Sequence, residues 1–97
     1  MAASATGEPR TRDFVIANKR GLHARAAARF VQCVERFDAH ITVSKDQASV
    51  DGASIMGLMM LAAVPGTMIS VAAEGPQADA ALAALETLIE SRFGEDD

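Results

Sequence analysis

Three stretches of this chain can each bury only one side of a helix, and that restriction decides most of what it can fold into. In residues 24–36, Ala27, Phe30, Val31 and Val34 recur at i, i+3, i+4 and i+7. This spacing predicts a helix with one apolar seam, leaving Arg25, Arg29, Gln32 and Arg36 largely off it. Residues 77–92 repeat the pattern, with Leu82, Leu85, Leu88 and Ile89 inward and Glu86 and Glu90 outward. A shorter helix is predicted from the Ser54 cap to about Leu61. Between them lie β-prone runs at residues 13–17, 40–44, 48–50 and 67–73, bounded by polar, Gly or Pro-Gly turns. Strands this short are not stable alone, so the three seams must cover one face of a sheet. The expected order is βαββαβα, an α+β fold with helices on one side and the other face wet.

The remaining composition narrows the function. A chain of 97 residues forms one domain, and its four aromatic residues, all Phe, leave an aliphatic core that five Met help to fill. The single cysteine, Cys33, excludes an internal disulfide and a multi-cysteine zinc site; no metal or cofactor is expected. Cys33 is read as off the apolar seam and chemically inert, which fits a reducing cytoplasm. Residues 1–12 have no apolar core, so they read as a mobile extension rather than a signal, with the domain spanning 13–93 and an acidic tail at 94–97. No run is long enough to cross a bilayer.

Charge is unevenly placed. Residues 1–50 carry eight Lys/Arg against five Asp/Glu, while residues 51–97 carry one against eight. The positive half centres on Lys19, Arg20, Arg25 and Arg29, which favours an anionic ligand or an acidic partner at that end. It is too small a footprint for nucleic acid, and stacking Trp and Tyr are absent.

Within that basic end, Gly21-Leu22-His23-Ala24-Arg25 brings a histidine to a helix start. Unpaired N–H groups and the positive end of the helix dipole hold an anion there. A histidine offers a nucleophilic nitrogen near neutral pH, and an arginine two residues on supplies a forked cation suited to phosphate. Against this stands the plain reading of His23 as an imperfect surface cap. The other histidine, His40, opens a strand and reads as structural.

Gly21-Leu22-His23-Ala24-Arg25, followed by Phe30-Val31-Gln32, resembles the active-site segment of HPr, the histidine-containing phosphocarrier of the bacterial phosphotransferase system. Ser54-Ile55-Met56-Gly57-Leu58-Met59 resembles the family's regulatory serine segment. The resemblance implies an open-faced β-sandwich in which three helices cover one face of a four-stranded antiparallel sheet. It implies a carrier rather than an enzyme, with His23 as the phosphoacceptor through Nδ1. The N–H groups of Ala24 and Arg25 would hold the phosphate, and the Arg25 side chain would neutralise its charge. Expected partners are enzyme I, enzyme IIA domains and an HPr kinase/phosphorylase acting on Ser54; the carrier role implies a cytoplasmic monomer.

Two places keep alternatives open. Ser54 also reads simply as a helix cap, worth about 1 kcal/mol over alanine. Ile55, Met56, Met59 and Met60 read individually as core, whereas the family resemblance makes Ala28, Ile55, Met56 and Met59 a docking patch. A rival reading is a regulatory binding module controlled at Ser54, with little flux through His23. One departure from the family pattern is Ala26, where proline is usual; alanine keeps helix propensity but loses the ring's rigidity.

Overall fold

The first strand begins with arginines rather than with its apolar run. A computed structural model describes residues 9–95 of the chain, and in it strand β1 spans Arg10–Val15. Most of the extension expected over residues 1–12 lies in residues 1–8, outside the described residues, but its last part belongs to the sheet. The reason is visible in the register. Arg10, Arg12 and Phe14 alternate onto the helical side, where Arg12 Nη1 donates to Glu86 Oε1 at 2.9 Å and Arg10 Nε lies 3.7 Å from Asp79. Long cationic stems replace apolar side chains there, so no hydrophobic pattern marks the strand.

Helix α1 (Ala24–Val34), strands β2 (His40–Lys45) and β3 (Ala48–Asp51), helix α2 (Ile55–Met60), strand β4 (Met68–Glu74) and helix α3 (Ala78–Glu90) follow, then a 3₁₀ turn over Arg92–Gly94. The elements are those predicted, with α1 two and α3 three residues shorter than their patterns. The sheet is fully antiparallel in the order β1-β4-β2-β3. β4 therefore sits between β1 and β2. This is the open-faced α+β sandwich that the family resemblance implied.

The inner face is apolar and closed. Phe14, Ile41, Val43, Ile69, Val71 and Ala73 from the sheet meet Ala27, Phe30, Leu58, Leu82, Leu85 and Ile89 from the helices, all buried. Phe93 joins them, fully buried, although the chain reaches it through consecutive positive φ angles of 58° at Arg92 and 57° at Phe93. The left-handed conformation costs about 1–2 kcal/mol per non-glycine residue. Burying a Phe is worth about 1.5–3 kcal/mol, enough to offset much of that. Cys33 also lies in the core, not off the seam as its spacing suggested. The α1 stripe is wide enough to include it, because α3 packs along that flank.

The outer face is largely polar, apart from the exposed pair Val15 and Met68 at one end of β1 and β4. Asp13, Ser70, Ser44 and Ser49 stand opposite one another across all four strands. Ser70 Oγ donates to Asp13 Oδ1 at 2.6 Å, and the hydroxyls of Ser44 and Ser49 are 2.8 Å apart. His40 is likewise a surface strand residue, with Nδ1 3.9 Å from Glu74.

Candidate functional site

The segment before α1 is tied down by backbone bonds to the loop after α2. Ile16 N–H donates to Thr67 O at 2.9 Å, Gly66 N–H to Ile16 O at 2.8 Å, and Leu22 N–H to Ala63 O at 3.0 Å. Gly21 takes φ +67° against that loop, a conformation and a closeness that suit glycine alone. Asn18, fully buried, closes the turn from inside by donating its Nδ2 to the Gly21 carbonyl at 2.7 Å.

His23 leaves this turn as the N-cap of α1, with φ −77° and ψ −179°. Its carbonyl accepts the first helical bond from Ala27 N–H at 2.8 Å. Its ring takes the place usually filled by a Ser or Asp side chain: Nδ1 accepts from Arg25 N–H at 3.3 Å. An imidazole nitrogen that accepts carries a lone pair rather than a proton. Ala24 and Arg25 are exposed, and Ala28 is half-buried one turn along. Ala26 is fully buried in the first turn, and the helix starts there despite the missing proline.

Two residues that the sequence reading left as turn and tail complete the surroundings. Glu95 hydrogen-bonds His23 Nε2 through Oε2, while its Oε1 accepts from Asn18 Nδ2 at 3.1 Å. The His23 and Glu95 side chains retain only 16% and 11% of their exposure. Partial burial works to raise the Glu95 pKa. The hydrogen bonds from Asn18 and His23, with the nearby charge of Arg20, outweigh it and hold the carboxyl below its ordinary range. Glu95 is thus no frayed tail residue; Asp96 and Asp97 lie outside the described residues.

Arg29 plays a different part from the one its charge suggested. Its Nη1 donates to the Phe93 carbonyl, so the guanidinium clasps the turn that carries Glu95. Of the basic cluster, Arg25 stays exposed and Arg20 acts on Glu95.

Ser54 caps α2, its Oγ accepting from Gly57 N–H at 3.0 Å. Gly57 has to be small, since a Cβ there would lie 3.0 Å from Val50 Cβ and 3.2 Å from Ser54 Oγ. At the other end, Lys45 Nζ donates to the Leu61 carbonyl at 3.2 Å, placing a cation at the helix's negative end. Only Leu58 of α2 is buried. Ile55, Met56, Met59 and Met60 are exposed, Met56 at 69% and Met60 at 77%, which overturns their reading as core. α2 packs on α1, so this apolar surface belongs to the same side of the molecule as the helical layer.

Among the described residues no cluster of three His, Cys, Asp or Glu side chains could hold a metal, and no helix is long and apolar enough to cross a membrane.

Comparison with known proteins agrees with this fold. The family profile described as the PTS HPr component phosphorylation site matches residues 10–91. The phosphocarrier protein HPr of Pseudomonas aeruginosa is 50% identical over 84 residues, covering 86% of this chain and 93% of that protein. The crystal structure of HPr-C-His from Thermoanaerobacter tengcongensis superimposes with a TM-score of 0.86 at 44% identity, covering 91% of this chain and 99% of that one. A crystal structure of an HPr dimer from the same organism gives 0.72 at 48% identity, covering 84% and 94%. With profile, relatives and fold in agreement, the chain belongs to the HPr family, phosphocarriers of the phosphotransferase system rather than enzymes.

Proposed function

We propose that this chain relays a phosphoryl group from phosphorylated enzyme I to enzyme IIA domains through a phosphohistidine at His23. The observation that supports it most is the seat of the ring: His23 caps α1 with the Nδ1 lone pair turned to the Arg25 amide at 3.3 Å. In the transfer, Nδ1 attacks phosphorus in line as the donor's P–N bond breaks and its electron pair returns to the donor nitrogen. Arg25 N–H then leaves the ring nitrogen for a phosphoryl oxygen. Ala24 N–H, one of the amides left unpaired at a helix start, joins it. The exposed Arg25 guanidinium offsets charge in the transition state. Onward transfer is the reverse reaction with an acceptor in the donor's place. A few amides and one arginine hold the group loosely enough to release it.

Ile55, Met56 and Met59, with Ala28, form the docking patch in this reading. Adaptable methionines fit successive partners without tight binding. Ser54 lies at the edge of that patch. Its phosphorylation by an HPr kinase/phosphorylase would set about two negative charges among the docking residues and repel an acidic donor. The carrier works in the cytoplasm and as a monomer, since a second copy on the patch would compete with its partners.

Incubation with enzyme I and phosphoenolpyruvate tests the relay. One acid-labile phosphate per chain is expected, lost in His23→Ala. A wild-type chain that stays unmodified overturns the reading. If His23→Ala were silent in cells while Ser54→Asp reproduced the phenotype, the regulatory binding module would replace it.

A further inference from the structure

The ring of His23 is held at both nitrogens, and the two contacts demand the same proton arrangement. Nδ1 accepts from a backbone N–H, so it carries the lone pair. Nε2 faces a carboxylate oxygen, which can only accept, so Nε2 carries the proton. We propose that Glu95 is a positioning residue for phosphoryl transfer, its carboxylate fixing His23 with the proton on Nε2 and the nucleophilic lone pair on Nδ1. This rests on the carrier reading of His23 and adds to it the device that selects the nitrogen.

Glu95 is itself built into place. Asn18, fully buried, bridges the Gly21 carbonyl at 2.7 Å and Glu95 Oε1 at 3.1 Å with one amide nitrogen. Facing two oxygens, that end of the amide must be the donor, which settles the orientation of the side chain. Arg29 clasps the Phe93 carbonyl, and buried Phe93 anchors the turn two residues before Glu95. Asn18 and the Phe93 turn that Arg29 clasps thus bring one carboxylate to Nε2.

The charge balance explains what the carboxylate does beyond orientation. When Nδ1 gives its lone pair to phosphorus, the ring becomes cationic with its proton still on Nε2. A carboxylate on that proton stabilises the charge as it develops, as it does for a histidine acting as base in a catalytic triad. When the phosphoryl group leaves, the pair returns to Nδ1 and the starting tautomer is restored. No proton has to be exchanged with water in either direction.

Three full-length chains test this: wild type, Glu95→Ala and Glu95→Gln. Nitrogen NMR of the His23 ring reports which nitrogen is protonated, and rapid quench with phosphorylated enzyme I reports the uptake rate. The wild-type neutral ring should be protonated at Nε2. Glu95→Ala should mix the tautomers and slow uptake by roughly tenfold, the scale of one charge-assisted hydrogen bond. Glu95→Gln has one accepting oxygen for two donors, Asn18 Nδ2 and His23 Nε2, so it should recover the tautomer and the rate only in part. If Glu95→Ala leaves tautomer and rate unchanged, or speeds uptake by uncovering the ring, the positioning role is overturned while the carrier reading stands. If wild type takes no phosphate at all, the carrier reading falls, and the ring spectra alone decide whether Glu95 sets the tautomer.

Discussion

Leu22 donates its backbone N–H to the Ala63 carbonyl at 3.0 Å, and a Cβ added to neighbouring Gly21 would overlap that same oxygen. The turn that delivers His23 is therefore fitted against the loop after α2, and the two cannot move independently. Gly21→Ala combines a left-handed residue with a backbone clash, so it should destabilise the fold by about 2 kcal/mol or more. Urea unfolding is expected to show a lower midpoint with unchanged slope. A midpoint equal to wild type would mean the turn yields more freely than its packing implies.

The same loop also offers a gain. Ala62 follows the end of α2 with φ +54° and is exposed, so it occupies a left-handed capping position without packing of its own. Ala62→Gly should stabilise the protein by about 0.5–1 kcal/mol, the relief of the Cβ penalty less the added freedom of the unfolded chain. Thermal unfolding should move up by a few degrees; a downward shift would contradict the assignment.

The lowered pKa of Glu95 makes part of the stability depend on pH. A carboxyl depressed in the native state binds its proton more readily when unfolded. Its contribution is thus complete above the ordinary value of 4.5 and is lost as pH falls through the lower native one. The urea midpoint of wild type should exceed that of Glu95→Gln at pH 7, and the gap should close in acid. A gap that widens towards acid would reverse the sign and contradict the contacts from Asn18 and His23.

Burial pushes the Cys33 thiol up, only partly opposed by the charge of Arg36. The native protein should react slowly with a disulfide reagent at pH 8 and promptly in denaturant, because the thiolate is the reacting species. Immediate stoichiometric labelling of native protein would show that the flank between α1 and α3 opens freely.

How far the chain could be read in advance differs by residue, for physical reasons. The apolar seams of α1 and α3 follow from spacing alone, since Phe30, Leu82, Leu85 and Ile89 have nowhere else to go. His23 was legible because a glycine turn, a helix start and an arginine are contiguous. Glu95 was not, because its meaning depends on Phe93 turning the chain back over the first helix, and three left-handed residues in Arg92-Phe93-Gly94 leave no periodic signal. Asn18 looked like an ordinary turn residue; only its burial shows that it links two distant parts of the site. The methionines of α2 misled the residue-by-residue reading, since hydrophobicity does not say whether a six-residue helix has a core to reach.

The interior place of β4 sets the order in which a newly made molecule can mature. β1 emerges first from the ribosome, yet its sole neighbour in the sheet is a strand that begins at Met68. Until that strand is free of the exit tunnel, β1 has nothing to lean on and the loop leading to His23 has no floor, although β2 and β3 can already pair as a hairpin. The turn that carries His23 is consequently complete only once the loop it bonds to and the strand that follows have both been made.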